Sequence, residues 1–167
     1  INPAKQIENL DDVPIPAYHL INMENYFRIN SRLGRVSIGN AKGRKVSMVT
    51  SRGCPYNCCF CSIHSHMGKK WRAHSAEYVT KHIEYLVKTF AVRHISFEDD
   101  NLILDAARLE KILDWLISSR INLTWDTPNG IRADRVNLEL LKKMKRAGCS
   151  SIKIGIKSGD QHVLDNI

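Results

Sequence analysis

Three cysteines on one short segment are the residues of this chain best suited to chemistry. Cys54, Cys58 and Cys61 form a C-x3-C-x2-C pattern. In a chain without an export signal, such clusters are more often metal or cofactor ligands than disulfides. A cubane iron–sulfur cluster normally takes four thiolates, so three would leave one iron open. An open iron predicts substrate or cofactor chemistry in addition to electron storage.

A zinc site is the alternative interpretation of the same segment. Either His64 or His66 could complete such a site, and Cys54, Cys58 and Cys61 together with His64 would give a closed tetrahedral ligand set. Cys59 could replace Cys58 as a ligand, but adjacent side chains point in different directions, and we expect Cys59 to be packed or spare. The spacing alone leaves both kinds of metal site open.

The positive charge of the chain is concentrated around these cysteines. The formal net charge is +8, and residues 41–74 supply +7 of it because they contain seven Lys or Arg and no Asp or Glu. Nearby cations lower thiol pKa values and offset the charge of an anionic cluster. The same segment would suit a small-molecule or anionic substrate, an acidic electron donor such as flavodoxin or ferredoxin, or, as the less favoured partner, nucleic acid.

The composition excludes several classes of protein. Hydrophobic residues make up 43% and charged residues 25% of the 167 residues, which is typical of soluble globular chains. The sequence contains no run of 18 apolar residues, and its first residues lack the features of a secretory signal. We therefore expect a cytoplasmic protein without a membrane partner.

Strand and helix patterns alternate after the first forty residues. Strands are predicted at about 45–50, 94–97, 122–125 and 151–156, and the helices between them are predicted to be N-capped by Ser75, Asp105 and Asn137. This alternation is typical of right-handed βαβ units in a parallel sheet. Polar or glycine-rich segments follow every strand: SRGCPYNCCFC, EDDN, DTPNGIRAD and KSGD. The pattern predicts an α/β fold, a partial TIM-type (β/α) barrel with ligand residues at one rim.

The predicted domain organisation has two parts. Residues 1–40 contain three of the five prolines and are predicted to be an interdomain linker and lead-in that lies outside the core, with a possible hairpin strand at 35–40. Residues 41–167 are predicted to form the partial-barrel core. Four strands cannot close an eight-stranded barrel. The chain begins at Ile1 and stops in a starting helix, so we expect a piece of a longer protein, truncated before its last strands.

The segment CPYNCCFC, placed after a first strand and before βα repeats, resembles the signature of the radical S-adenosylmethionine (SAM) superfamily. The resemblance implies a 4Fe–4S cluster on Cys54, Cys58 and Cys61, with the amino and carboxylate groups of SAM on the remaining iron. It also implies that Phe60 packs near the adenine of SAM. The activity implied is reductive cleavage of SAM to a 5′-deoxyadenosyl radical, whose chemistry belongs to the cofactor.

Two further loops extend the resemblance. The segment EDDN occupies the place where family members bind the methionyl ammonium, which implies that role for Asp99 and Asp100. After the last strand the chain has GIKSG where the family often has GIESG, with the acidic residue near the ribose. Lys157 cannot accept hydrogen bonds from ribose hydroxyls, so Ser158 is the candidate there. After the third strand, Arg132 either faces the site or pairs with Asp134.

Within the superfamily, several segments resemble the subgroup that carries an upstream cobalamin-binding domain; they are NLDDVPIPAYHLI, MGKKWRAHSAEYV, FEDDN and WDTPNGIRAD. This implies the core of a cobalamin-dependent methyltransferase, with cobalamin held by a domain that is not in this chain. The alternatives are a radical tRNA methylthiotransferase, supported by the basic segment, and a zinc-stabilised nucleic-acid-binding module.

Overall fold

A four-stranded parallel sheet lies at the centre of this computed structural model, which describes residues 6–32 and 43–167. Its strand order is β1-β4-β5-β6, and each neighbouring pair is parallel. The strands are β1 (Arg44–Met48), β4 (Val92–Phe97), β5 (Thr124–Ile131) and β6 (Cys149–Ile154). A separate antiparallel pair joins β2 (Ser51–Arg52) to β3 (Arg72–Ala73). The α/β prediction is confirmed.

Helices connect the parallel strands and begin where the capping residues predict. The helices are α1 (Met23–Arg32), α2 (Ala76–Phe90), α3 (Ala106–Ser118), α4 (Leu138–Arg146) and α5 (Gln161–Leu164). The side chains of Ser75, Asp105 and Asn137 accept the backbone N–H groups of residues 78, 108 and 140. Each cap satisfies a backbone donor that the first helical turn would otherwise leave unpaired.

The hydrophobic core lies between the sheet and helices α2 and α3. Its fully buried members include the side chains Ile83, Leu86, Ile95, Leu113 and Trp125. Apolar residues of α2 and α3 recur at helical spacing, so each helix buries one face against the strands. This packing fixes the carboxyl ends of the strands, from which the polar loops emerge.

The lead-in contributes to the core, contrary to the expectation that it lies outside. Leu10, Met23 and Phe27 are buried, and the last two join the main hydrophobic cluster. Met23 and Phe27 are four residues apart on α1, a spacing that places both on one helix face. The Tyr26 hydroxyl also lies 3.4 Å from the backbone nitrogen of Ser47, which donates to it from the edge strand β1. The sequence pattern does not predict this short amphipathic helix, because prolines and polar residues surround its few apolar positions.

Strand β5 and the β2–β3 pair also differ from the sequence prediction. β5 runs to Ile131 although Pro128 and Gly130, typical turn residues, lie within it, and its register with β6 shifts there. The β2–β3 pair is too short for a periodicity signal. The predicted hairpin strand at 35–40 lies outside the described residues. No helix in the described ranges is long and apolar enough to span a membrane.

Candidate functional site

The loops that follow β1, β4, β5 and β6 meet at one rim, because the carboxyl ends of parallel strands lie at the same edge of a sheet. The cysteine loop, defined here as residues 53–71, leaves and re-enters the body through the β2–β3 pair. Gly53 turns the chain into this loop with φ +83°, and a Cβ at this position would lie 2.4 Å from the Lys70 carbonyl oxygen. Only glycine fits this backbone position without displacing the opposite side of the loop.

The cysteines of the loop are free thiols with different surroundings. The Cys54 sulfur is half-buried and lies 3.8 Å from Nδ2 of Asn101, a buried residue of the loop after β4. Cys58 is half-buried and Cys61 exposed, and a turn joins them through a hydrogen bond from the Cys61 N–H to the Cys58 carbonyl. Cys59 is exposed, so it does not pack into the core.

The three cysteines of the loop are the right ligand type for an iron–sulfur cluster. Their side chains, however, do not lie together as a formed metal site. In residues 6–32 and 43–167, no three His, Cys, Asp or Glu side chains lie close enough together to hold a metal ion. The three cysteines are nevertheless free, lie within eight consecutive positions, and share the loop with cations and no carboxylate. Thiolates in such surroundings suit an anionic cluster.

His64, a candidate for the fourth ligand of the alternative zinc site, uses one of its two ring nitrogens in a hydrogen bond within the loop, which leaves Nδ1 for a metal. Nε2 of His64 lies 2.9 Å from the backbone carbonyl oxygen of Cys54. A carbonyl only accepts, so this ring nitrogen carries the proton and donates the hydrogen bond. In this position His64 supports the backbone of the cysteine loop and does not offer Nε2 to a metal.

Two aromatic rings of the cysteine loop contact cations from the neighbouring loops. Phe60 is 53% exposed, and the Lys157 ammonium lies 4.2 Å from its ring centroid. The guanidinium carbon of Arg132 lies 3.7 Å from the ring centroid of Tyr56. Arg135 donates to the Tyr56 hydroxyl oxygen from Nε at 3.0 Å and from Nη2 at 2.8 Å. The loops after β5 and β6 thus contact the segment that carries the cysteines.

Arg132 pairs with Asp134 and also contacts the cysteine loop. Its Nε and Nη2 donate to the two carboxylate oxygens of Asp134 at 3.0 and 2.9 Å, while its guanidinium stacks on Tyr56. The hydrogen bonds to Asp134 and the charge of its carboxylate raise the pKa of Arg132, and partial burial opposes this shift. The residue is therefore cationic and lies beside the cysteine loop.

The two acidic candidates after β4 occupy different environments. Asp99 is 1% exposed, and its carboxylate accepts hydrogen bonds from Thr50 and Ser51 inside the protein. Asp100 is exposed, and its carboxylate lies close enough to the backbone N–H of Gly53, at the start of the cysteine loop, for that group to affect its pKa. Partial burial raises the pKa of Asp100, while the Gly53 N–H and the charge of His66 oppose the shift. Of these two candidates, only Asp100 has an exposed carboxylate.

Ser158 lies in the loop after β6 and is half-buried. Its hydroxyl oxygen accepts the backbone N–H of Asp160 at 3.0 Å, while the Asp160 side chain caps α5. The hydroxyl hydrogen of Ser158 is not used by this contact. Ser158 thus supports its own loop and keeps a donor.

Several rim residues were not singled out by the sequence. Asn101 contacts the Cys54 sulfur and receives the Trp71 indole N–H on its backbone carbonyl, and Tyr56 receives two arginines. Both lie inside segments already marked as functional, CPYNC and EDDN, so position in those segments was the available signal. Arg108 lies on α3, outside those segments, and nothing in the sequence distinguishes it from the other polar residues of that helix.

Comparison with known proteins identifies the family. The model of the radical SAM superfamily matches residues 48–167. The uncharacterized methyltransferase PH0819 of Pyrococcus horikoshii is 32% identical over 99% of this chain and 33% of that protein. The cytidylyl-2-hydroxyethylphosphonate methyltransferase of Streptomyces wedmorensis is 31% identical over 95% of this chain and 29% of that protein. The chain spans about a third of the length of these curated relatives.

The fold has solved counterparts as well. The apo structure of the cobalamin-dependent S-adenosylmethionine radical enzyme OxsB is 26% identical, with a TM-score of 0.66 over 98% of this chain and 23% of that one. This likeness confirms the predicted partial TIM-type barrel, which four strands leave open. The family match and the fold together show that this chain belongs to the radical SAM superfamily of enzymes.

Proposed function

We propose that this chain is the cluster- and SAM-binding core of a cobalamin-dependent radical SAM methyltransferase. The observation that carries the proposal is the set of three free cysteines, spaced C-x3-C-x2-C, on a loop at the carboxyl-end rim of the sheet. Cys54, Cys58 and Cys61 would hold a 4Fe–4S cluster and leave one iron for SAM. Such a cluster would supply one electron to the sulfonium of SAM, whose 5′ carbon–sulfur bond would break to give methionine and the 5′-deoxyadenosyl radical.

The remaining rim residues would bind and orient SAM. Asp100 presents a carboxylate that would accept a hydrogen bond from the methionyl amino group, and we retain it over Asp99, whose oxygens are engaged inside the protein. Arg132 supplies a fixed cation beside the cysteine loop, suited to a carboxylate. Phe60 offers an exposed ring for the adenine, and Ser158 keeps a hydroxyl hydrogen for the ribose.

The methyl-transfer part of the proposal rests on relatives. Both curated relatives described above are named methyltransferases, and OxsB is named a cobalamin-dependent enzyme. Because the chain spans about a third of those relatives, we assign cobalamin to another part of the full-length protein. The loops of this chain would then hold SAM next to that cofactor.

Anaerobic reconstitution of the full-length protein with iron and sulfide tests the proposal. We expect about four irons and four sulfides per protein, and 5′-deoxyadenosine after reduction in the presence of SAM. Cys58→Ala should abolish both, while the matched variant Cys59→Ala should retain them because Cys59 is exposed and outside the proposed ligand set. One zinc and no sulfide in the wild type would favour the zinc-stabilised module instead.

A further inference from the structure

We propose that Arg108 and Asp99 are positioning residues that hold both stems of the cysteine loop in register with the loop after β4. The stems are the short segments on either side of the loop, Thr50–Arg52 and Arg72–His74, joined by β2–β3 pairing and by the His74 N–H donating to the Thr50 carbonyl at 2.9 Å. What the loop binds rests on the proposed function; the clamp itself rests on the contacts below.

A single guanidinium reaches both stems. Nε of Arg108 donates to the His74 carbonyl oxygen at 2.6 Å, on the returning stem. Its Nη2 donates to the Thr50 carbonyl at 3.2 Å and to the Thr50 hydroxyl at 2.8 Å, on the outgoing stem. The fork geometry of arginine allows these separate donors to act at once, which a lysine ammonium cannot match.

Asp99 binds the outgoing stem as well. Its carboxylate accepts the Thr50 N–H at 3.1 and 3.2 Å, the Thr50 hydroxyl at 2.7 Å and the Ser51 hydroxyl at 2.5 Å. The Thr50 hydroxyl therefore donates to Asp99 while it accepts from Arg108, and it links the two charged groups. Asp99 comes from the end of β4 and Arg108 from the first turns of α3, so the clamp ties three elements together.

Both charged groups of the clamp are buried, so each depends on its hydrogen-bond and charge partners. Asp99 is 1% and Arg108 7% exposed. Burial raises the pKa of Asp99 and lowers that of Arg108, and each charge opposes the shift of the other. Charged groups buried at this depth are tolerated where they are paired and hydrogen-bonded, and removal of one leaves the other uncompensated.

The clamp sets the distance between the cysteines and the proposed ammonium ligand. Asp99 is followed by Asp100, whose carboxylate lies near the Gly53 N–H, and by Asn101, which contacts the Cys54 sulfur at 3.8 Å. Loosening the stems would therefore shift Cys54 relative to Asp100. Partners that orient metal ligands typically change affinity about 10- to 100-fold when they are removed.

Hydrogen exchange of the apo full-length protein tests the clamp without any cofactor. Arg108→Gln should speed exchange of the Thr50 and His74 amides by about tenfold or more, as expected when the hydrogen bonds that hold a segment closed are lost. Asp99→Asn should affect Thr50 more than His74. Leu109→Ala, which removes a buried side chain from the same helix turn without touching either stem, is the control for general destabilisation.

Electron paramagnetic resonance of the reconstituted, reduced protein supplies the second readout. The change that SAM causes in the cluster spectrum should need about 10-fold or more SAM in Arg108→Gln than in Leu109→Ala. Arg108→Lys should behave like Arg108→Gln. Lysine keeps the positive charge, but its ammonium cannot donate to both stems in the fixed directions that the guanidinium allows. Wild-type exchange in Arg108→Gln, or full rescue by Arg108→Lys, would overturn the clamp. Altered exchange together with a wild type that assembles no cluster would leave the clamp standing and refute the proposed function.

Discussion

Lys157 stands where the resemblance expects an acidic residue, and its ammonium covers the ring that is proposed to receive adenine. An exposed cation–π contact contributes only about 0.5–1 kcal/mol, so a bound nucleoside could displace it. The position nevertheless lacks the acceptor that a ribose hydroxyl would use. Lys157 therefore predicts weaker nucleoside binding than a carboxylate at the same position would give.

The substitution Lys157→Glu tests this prediction at the residue scale. It uncovers Phe60 and supplies an acceptor, so S-adenosylhomocysteine should bind about tenfold more tightly, as for one charged hydrogen bond. Isothermal titration of the reconstituted full-length protein measures the affinity. Lys153→Glu, an equal charge change on the exposed end of β6, is the control. Equal effects of the two variants, or weaker binding by Lys157→Glu, would contradict the prediction.

At the scale of elements, the turn that starts the cysteine loop depends on one glycine. A Cβ at Gly53 would meet the Lys70 carbonyl at 2.4 Å, and the positive φ adds strain. Gly53→Ala should lower the free energy of unfolding by more than about 1 kcal/mol and reduce the iron content after reconstitution. Gly159→Ala, with nothing within 4 Å of its Cβ, is the control. Similar unfolding and iron content in the two variants would show that the turn tolerates a side chain.

Helix α2 contacts the lead-in through a partly buried pair, the Tyr18 hydroxyl and Nε2 of His82, 2.9 Å apart. Burial raises the pKa of Tyr18 to about 12, so the phenol keeps its proton, and the tautomer of His82 decides which of the two groups donates the hydrogen bond. Burial and the nearby His74 lower the pKa of His82 from 6.5 to about 4. The unfolded chain therefore binds a proton at His82 before the folded chain does as pH falls.

This difference gives the pH dependence of stability a definite sign. The His82 contribution is fully present above pH 6.5 and is lost as pH falls towards about 4. The loss should approach about 3 kcal/mol in the free energy of unfolding. Urea unfolding at several pH values measures it, and His82→Gln should flatten this part of the curve. Equal slopes in wild type and variant between about pH 7 and pH 4 would refute the assignment.

The same elements show what the sequence could predict. Helices α2, α3 and α4 begin at their predicted caps, because local side chain–backbone contacts decide a helix start. The cysteine loop was found from its spacing. The Arg108 clamp and the Tyr56 contacts could not be found, because they join residues far apart in sequence. α1 was missed because its buried face consists of few residues among polar ones.

For the whole molecule, the basic character of the cysteine loop predicts electrostatic association with an acidic electron donor. Reduction of the cluster by flavodoxin should slow as ionic strength rises, because salt screens charge attraction. Lys69→Glu, at an exposed position of the loop, should slow reduction severalfold at low salt. Stopped-flow absorbance measures the rate. Lys88→Glu, near the end of α2 and paired with Glu84 in the wild type, is the control.

Other results would contradict the predicted association with an electron donor. A reduction rate independent of salt, or equal effects of Lys69→Glu and Lys88→Glu, would show that the cysteine loop is not the surface that binds the electron donor. Tight, salt-sensitive binding of tRNA by the same loop would favour the methylthiotransferase alternative.

The most direct test concerns the open iron. Full-length protein is reconstituted, reduced, and mixed with SAM whose amino nitrogen is isotopically labelled, and electron–nuclear double resonance measures the coupling between that nitrogen and the cluster. We predict a resolved coupling that disappears in Cys58→Ala and persists in Cys59→Ala. A cluster that forms with no coupling to the label, or coupling that survives the loss of Cys58, would contradict three-cysteine ligation with SAM on the remaining iron.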